Sequence, residues 1–120
     1  MNLNLHAECT TATPFPGVTR TITMDRSGGA GGISTGLVTI EPGGAIRPHT
    51  HLVEEAMTVL EGDVLVLVGD ERREVRGGGF TVLAPANVPH GFRNIGATIV
   101  RIVIAYPSVE VTATAAQVDL

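Results

Sequence analysis

Three of the four histidines fall where they can share one task. His49-Thr50-His51 places two imidazoles at i and i+2, which on an extended strand point to the same face. Glu55 follows after Leu52-Val53-Glu54, enough chain for a tight turn into the next strand, where Glu55, Met57 and Val59 share a face. His90 opens another strand after Pro85-Ala86-Asn87-Val88-Pro89, with Phe92 and Asn94 on its own face. Three neutral imidazoles and one carboxylate form a borderline N/O donor set suited to one divalent Fe, Mn, Ni, Cu or Zn ion. On an octahedral ion they leave two positions for water, substrate or dioxygen. Glu54 competes for the carboxylate role, but strand parity and the spacing to Gly62 favour Glu55. No Ser, Cys or paired-carboxylate arrangement offers a second catalytic centre.

Such donors need a frame of strands. Short β-branched runs at Val18–Met24, Ile33–Ile40, Ala56–Leu60, Val64–Val68, Glu74–Arg76, Phe80–Leu83, Gly91–Asn94 and Ile99–Ala105 are separated by Gly- and Pro-rich turns. This spacing predicts an all-β sandwich or barrel. Helical signals are nearly absent; only Val111–Val118, rich in Ala and Thr, passes for a short helical turn. The 120 residues support one domain, with residues 1–16 read as an N-terminal arm and 108–120 as a C-terminal tail. Val64–Val68 and Ile99–Ile104 are apolar on both faces, so each needs a second cover, from a folded-back arm or from a homodimer interface. A homodimer is the expectation.

Composition removes several alternatives. All 8 basic residues are Arg, so Schiff-base chemistry, a phosphate-binding GK[ST] loop and a Ser-Lys pair are excluded. With 12 acidic residues the net charge is −4, and three Phe and one Tyr offer little for stacking on bases; nucleic acid is not an expected partner. The opening segment lacks a basic, apolar signal pattern, and the longest apolar run is far too short to span a bilayer, so the expected location is cytoplasmic. Cys9 is alone, which suits a reducing compartment.

Around the histidines the string Gly43-(x5)-His49-x-His51-(x3)-Glu55-(x6)-Gly62 resembles the first motif of the cupins, and Gly79-(x5)-Pro85-x-Asn87-(x2)-His90-(x3)-Asn94 resembles the second. Asn87 stands where the family usually has Gly; Asn best tolerates the left-handed backbone among other residues, so the turn is expected to survive. The resemblance implies a small single-domain cupin of the cupin-2 type, residues 1–120, folded as a double-stranded β-helix (jelly-roll) barrel. It also implies metal ligands at His49, His51, Glu55 and His90, with no ligand position substituted. It does not choose a reaction, because cupins include dioxygenases, isomerases, lyases, decarboxylases and non-enzymatic binders.

Other residues are weighed beside these. Met57, Val59 and Phe92 are core residues that parity also places as pocket lining. Arg47 shares parity with His49 and His51 and can reach an anionic substrate, although Pro48 interrupts the strand and an exposed turn Arg is an equal reading. Tyr106, the sole phenol, is a candidate acid or base, with strand-end packing preferred. Arg101 reads as an outward or interface ion pair. The scarcity of proton carriers tilts the reading toward a metal-dependent, dioxygenase-type oxidoreductase acting on a small oxygen-rich molecule. The alternatives are a metal-binding sensor without catalysis, or a lyase or isomerase.

Overall fold

The computed structural model describes residues 1–120. Eleven strands account for nearly all regular structure: β1 (Thr11–Phe15), β2 (Val18–Met24), β3 (Ser34–Ile40), β4 (Ala45–Thr50), β5 (Glu55–Glu61), β6 (Val64–Val68), β7 (Glu71–Val75), β8 (Phe80–Ala84), β9 (His90–Asn94), β10 (Val100–Tyr106) and β11 (Thr114–Ala115). Helical backbone is confined to two single turns of 3₁₀ type. From β3 onward the chain passes back and forth between two sheets, one of order β1-β2-β3-β10-β5-β8 and one of order β11-β4-β9-β6-β7.

The all-β expectation holds, but the closed jelly-roll barrel does not. Strands β1 and β8 end the six-stranded sheet, β11 and β7 end the five-stranded one, and no ladder joins one sheet to the other. The reason lies at the corner between two edge strands. Where the chain leaves β7 for β8, Gly77, Gly78 and Gly79 all take positive φ, which breaks the extended backbone that a continuous ladder between the sheets would need. A Cβ at Gly78 would lie 2.7 Å from the Glu61 backbone, so only glycine lets that corner close against β5. The architecture is two open sheets packed face to face.

Alternation along the strands sets what lies between the sheets. In β5 the pattern is strict, with Glu55, Met57 and Val59 buried. Val38, Ile40, Ile102, Val64 and Phe92 meet them from both sheets to make one apolar core. Burying each such side chain contributes roughly 1.5–3 kcal/mol, and these residues set the distance between the sheets.

Both termini carry strands within the stretches read as arm and tail. Residues 11–15 form β1, antiparallel to β2, and the tail forms β11 on the edge of β4 where a helical turn was expected. Beyond it the Ala116 N–H donates to the Pro48 carbonyl on β4, and the Asp119 carbonyl accepts from the Arg72 guanidinium on β7. Leu67 on β6 alternates with the inward-facing Val66 and Val68 and is itself fully buried.

Candidate metal centre

A bulge in β4 turns His49 inward. Ile46 opposes Phe92 on β9, the register slips by one, and His49 then opposes His90. Pro48, with no N–H to give a ladder, sits at the slip. Across from it a Cβ on Gly91 would lie 2.6 Å from the Ile46 carbonyl oxygen, so the partner strand must carry glycine there. Ile46 and His49 face the pocket, and Arg47 lines its mouth, exposed at the rim with its guanidinium 6.0 Å from the centre of the Phe15 ring.

His51 lies just past β4, His90 begins β9 and Glu55 begins β5. The donor atoms of His49, His51, Glu55 and His90 lie within 4.8 Å of one another, so the four form one cluster able to hold a single ion. Glu54 is exposed beside the buried Glu55. Asn87 has φ 63°, and its N–H donates to the His51 carbonyl at 2.7 Å, tying the turn before His90 to the neighbouring ligand. Asn94 serves the frame: its amide donates to the Ile40 and Thr98 carbonyls at 2.9 and 2.8 Å.

Each imidazole is oriented by a carbonyl. His49 Nδ1 donates to Arg47 at 2.8 Å, His51 Nδ1 to Thr112 at 2.7 Å and His90 Nδ1 to Val88 at 3.0 Å. A carbonyl only accepts, so each Nδ1 carries the proton and each neutral ring presents an Nε2 lone pair to the cluster. Backbone partners of this kind fix the tautomer that a metal ligand requires. His51 Nε2 is buried without a hydrogen-bond partner, with Glu55 Oε1 3.5 Å away. His90 Nε2 is 2.8 Å from the same oxygen. Lone pairs converging on a carboxylate repel unless a cation stands between them, either a proton or a metal ion. The residues fit a divalent metal.

In the metal-free protein a proton takes the cation's place. Burial pushes the Glu55 carboxyl up, but a proton shared with His51 and His90, together with Tyr106, outweighs it and holds it at about 2. Burial lowers His49, assisted by the neighbouring imidazoles. For His51 burial acts downward as well, yet Glu55 and the Thr112 carbonyl leave it raised.

A cavity of about 370 Å³ opens beside the cluster. Met57 and Phe92 line it, together with Phe15, Ile46, Ile102 and Ile104, whereas Val59 lies deeper, in the core. Tyr106 is in the cavity too, its ring centre 5.2 Å from that of His51. Burial and the Glu55 carboxylate beside it drive the phenol far up, so it holds its proton. Arg20 also lines the cavity, a residue sequence reasoning passed over; its position two residues after the core residue Val18 was the available signal. Arg101 points outward and pairs with Glu61 on β5.

Residues 36–106 match the family model described as Cupin domain. The chain is a cupin. No curated protein sequence matches this cupin. Among solved structures, the polyketide cyclase RemF from Streptomyces resistomycificus aligns with a TM-score of 0.81 at 22% identity, covering 99% of this cupin and 87% of that chain. Oxalate oxidase aligns with a TM-score of 0.73 at 28% identity over 86% of this cupin, which spans 56% of the oxidase. KdgF from Halomonas sp. gives 0.71 at 20% identity, over 89% and 94% of the two chains.

Proposed function

We propose that this cupin is a metal-dependent oxidoreductase of dioxygenase type, with His49, His51, Glu55 and His90 holding one divalent transition metal and a small molecule occupying the cavity. The observation that carries the reading is the convergence of three Nε2 lone pairs on the Glu55 carboxylate, each ring held in the required tautomer. The 28% identity to oxalate oxidase supports oxidative chemistry. When bound, such an ion supplies Lewis acidity and, if redox-active, electron exchange with dioxygen. The chain's own residues shape what reaches it. Met57, Phe92, Ile102 and Ile104 exclude water and hold an apolar body, so the substrate carries its oxygen donors at one end and is not oxygen-rich throughout.

Tyr106 favours a second reading, a lyase or isomerase. Its protonated hydroxyl beside Glu55 is a proton carrier inside the cavity, where the sequence had offered none with assurance. One experiment separates the two. Protein loaded with Fe²⁺ or Mn²⁺ is given 1,3-diketones and flavonols in an oxygen electrode, with a parallel anaerobic assay. Oxygen uptake matched to substrate loss supports the oxidoreductase, and turnover without oxygen supports the proton-transfer enzyme. A metal-loaded protein inactive in both arms overturns both.

A further inference from the structure

Strand β2 contributes Val18 and Arg20 to the inner face of the six-stranded sheet, and Arg20 opposes the buried Val38 on β3. Its surroundings on that face are apolar: Val18, Val38, Ile102 and Ile104 line the same cavity. A guanidinium in such a place ordinarily has a carboxylate partner. Arg20 has none. It makes no ion pair and no side-chain hydrogen bond, and its Nε is buried without an acceptor. Glu55, the carboxylate of the cavity, is already engaged by His51 and His90. The Arg20 charge is nonetheless felt across the cavity, acting downward on both His51 and Tyr106. An unpaired buried donor is destabilising, a cost that calls for a compensating role.

We propose that Arg20 is a substrate-binding residue that pairs with an anionic oxygen, carboxylate or enolate, on a molecule whose apolar body fills the cavity. This names the substrate class for the reading given above and rests on it. The cavity of about 370 Å³ holds roughly a dozen water-sized groups at about 30 Å³ each, far more than a two-carbon diacid needs. Arg20 is the one guanidinium set among the apolar wall, with Arg47 at the mouth and no lysine anywhere in the chain, and its fork of N–H donors suits one carboxylate or enolate. Arg47 is the contrasting case. It is exposed at the rim, where water screens its charge and weakens any discrimination it offers.

The test compares an acid with its neutral isostere. Binding of 2-naphthoate and 2-naphthamide, and of 3-phenylpropanoate and its amide, is measured by titration calorimetry on Zn²⁺-loaded protein, with metal content determined on each sample. The acids are expected to bind about 10- to 100-fold more tightly than the amides. Arg20→Gln is expected to abolish that preference while leaving amide affinity and zinc content unchanged, Arg20→Lys to retain part of it, and Arg47→Gln to retain it. A preference that survives in Arg20→Gln, or failure of both acids to outbind their amides in the unaltered protein, overturns the proposal. If the surviving preference disappears on zinc removal, the anion belongs to the metal, and the metal-centre reading stands without Arg20. If no zinc binds but the preference still depends on Arg20, the metal-centre reading fails and the anion site stands.

Discussion

His90 Nε2 stands 2.8 Å from Glu55 Oε1 across the gap between the two sheets, while the Nδ1 of the same ring donates to the Val88 carbonyl at 3.0 Å. The ring is thus held by its own strand and aimed at the carboxylate of the other sheet. A neutral imidazole so held has nothing to donate to Glu55, which makes the pair a seat for a cation.

Removing a donor is expected to empty that seat. His51→Ala and His90→Ala should each lower bound Zn²⁺ or Mn²⁺ from about one per chain to a small fraction, read by elemental analysis after gel filtration. The β-sheet circular dichroism should be retained, because the core is built from Val, Ile and Phe92. Unchanged metal content in both variants would exclude these ligands.

Acid should act on the metal-free protein through Glu55. Its carboxyl, at about 2 in the fold, lies below its ordinary 4.5. A depressed acid stabilises the fold above its unfolded pKa, and that contribution fades as pH falls from about 4.5 through about 2. Urea melts at pH 5.5, 4.5 and 3.5 should show the stability difference between the unaltered protein and Glu55→Gln shrinking over this window. A difference that stays constant with pH would mean that Glu55 is not held ionised by its neighbours.

Tyr106→Phe separates positioning from proton transfer. It removes the hydroxyl and keeps the ring against His51, so metal content should stay within about twofold. Under the lyase or isomerase reading kcat should fall by about 10²–10⁴, with little change in KM, in a steady-state assay. Under the oxidoreductase reading oxygen uptake should persist.

The tail is expected to matter for metal affinity although it supplies no ligand. A chain ending at Glu110 loses the Thr112 carbonyl that orients His51. Its affinity for Zn²⁺, measured by competition with a chromophoric chelator, should fall by about 10- to 100-fold. The same truncation removes β11 from the edge of β4 and the Asp119 carbonyl from Arg72, and should lower the melting temperature. An unchanged zinc affinity would show that His51 holds its orientation without the tail.

Gly91→Ala tests the bulge. The added Cβ meets the Ile46 carbonyl oxygen at 2.6 Å, a backbone atom that cannot swing aside. A loss of about 1–3 kcal/mol in urea melts is expected, accompanied by weaker metal binding as His49 and His90 move apart.

Much of this site was legible because period-two alternation is a local rule. It selects Glu55 over Glu54 and places Met57 on the ligand side, and the tolerance of Asn for positive φ accounts for Asn87. What escaped was non-local. The inward place of Arg20 follows from β2 joining the six-stranded sheet, and the use of the Thr112 carbonyl follows from a tail that returns to the β4 edge. The rim position of Arg47 was not settled by parity, because a bulge shifts it by one, and only the pairing partner reveals a bulge. Strand spacing left sandwich and barrel open, and closure into a barrel was expected from the family resemblance; it depends on edge strands meeting, which no local pattern records.

The donor set is divided between the sheets: His49, His51 and His90 ride on the five-stranded layer and Glu55 on the six-stranded one. It therefore behaves as a caliper whose jaws are the layers themselves. Side chains far from the cluster that set the spacing, such as Ile40 and Val64, adjust how firmly the jaws grip. A chemist seeking to retune this centre has a handle in the thickness of the protein's interior, without touching any of the four donor residues.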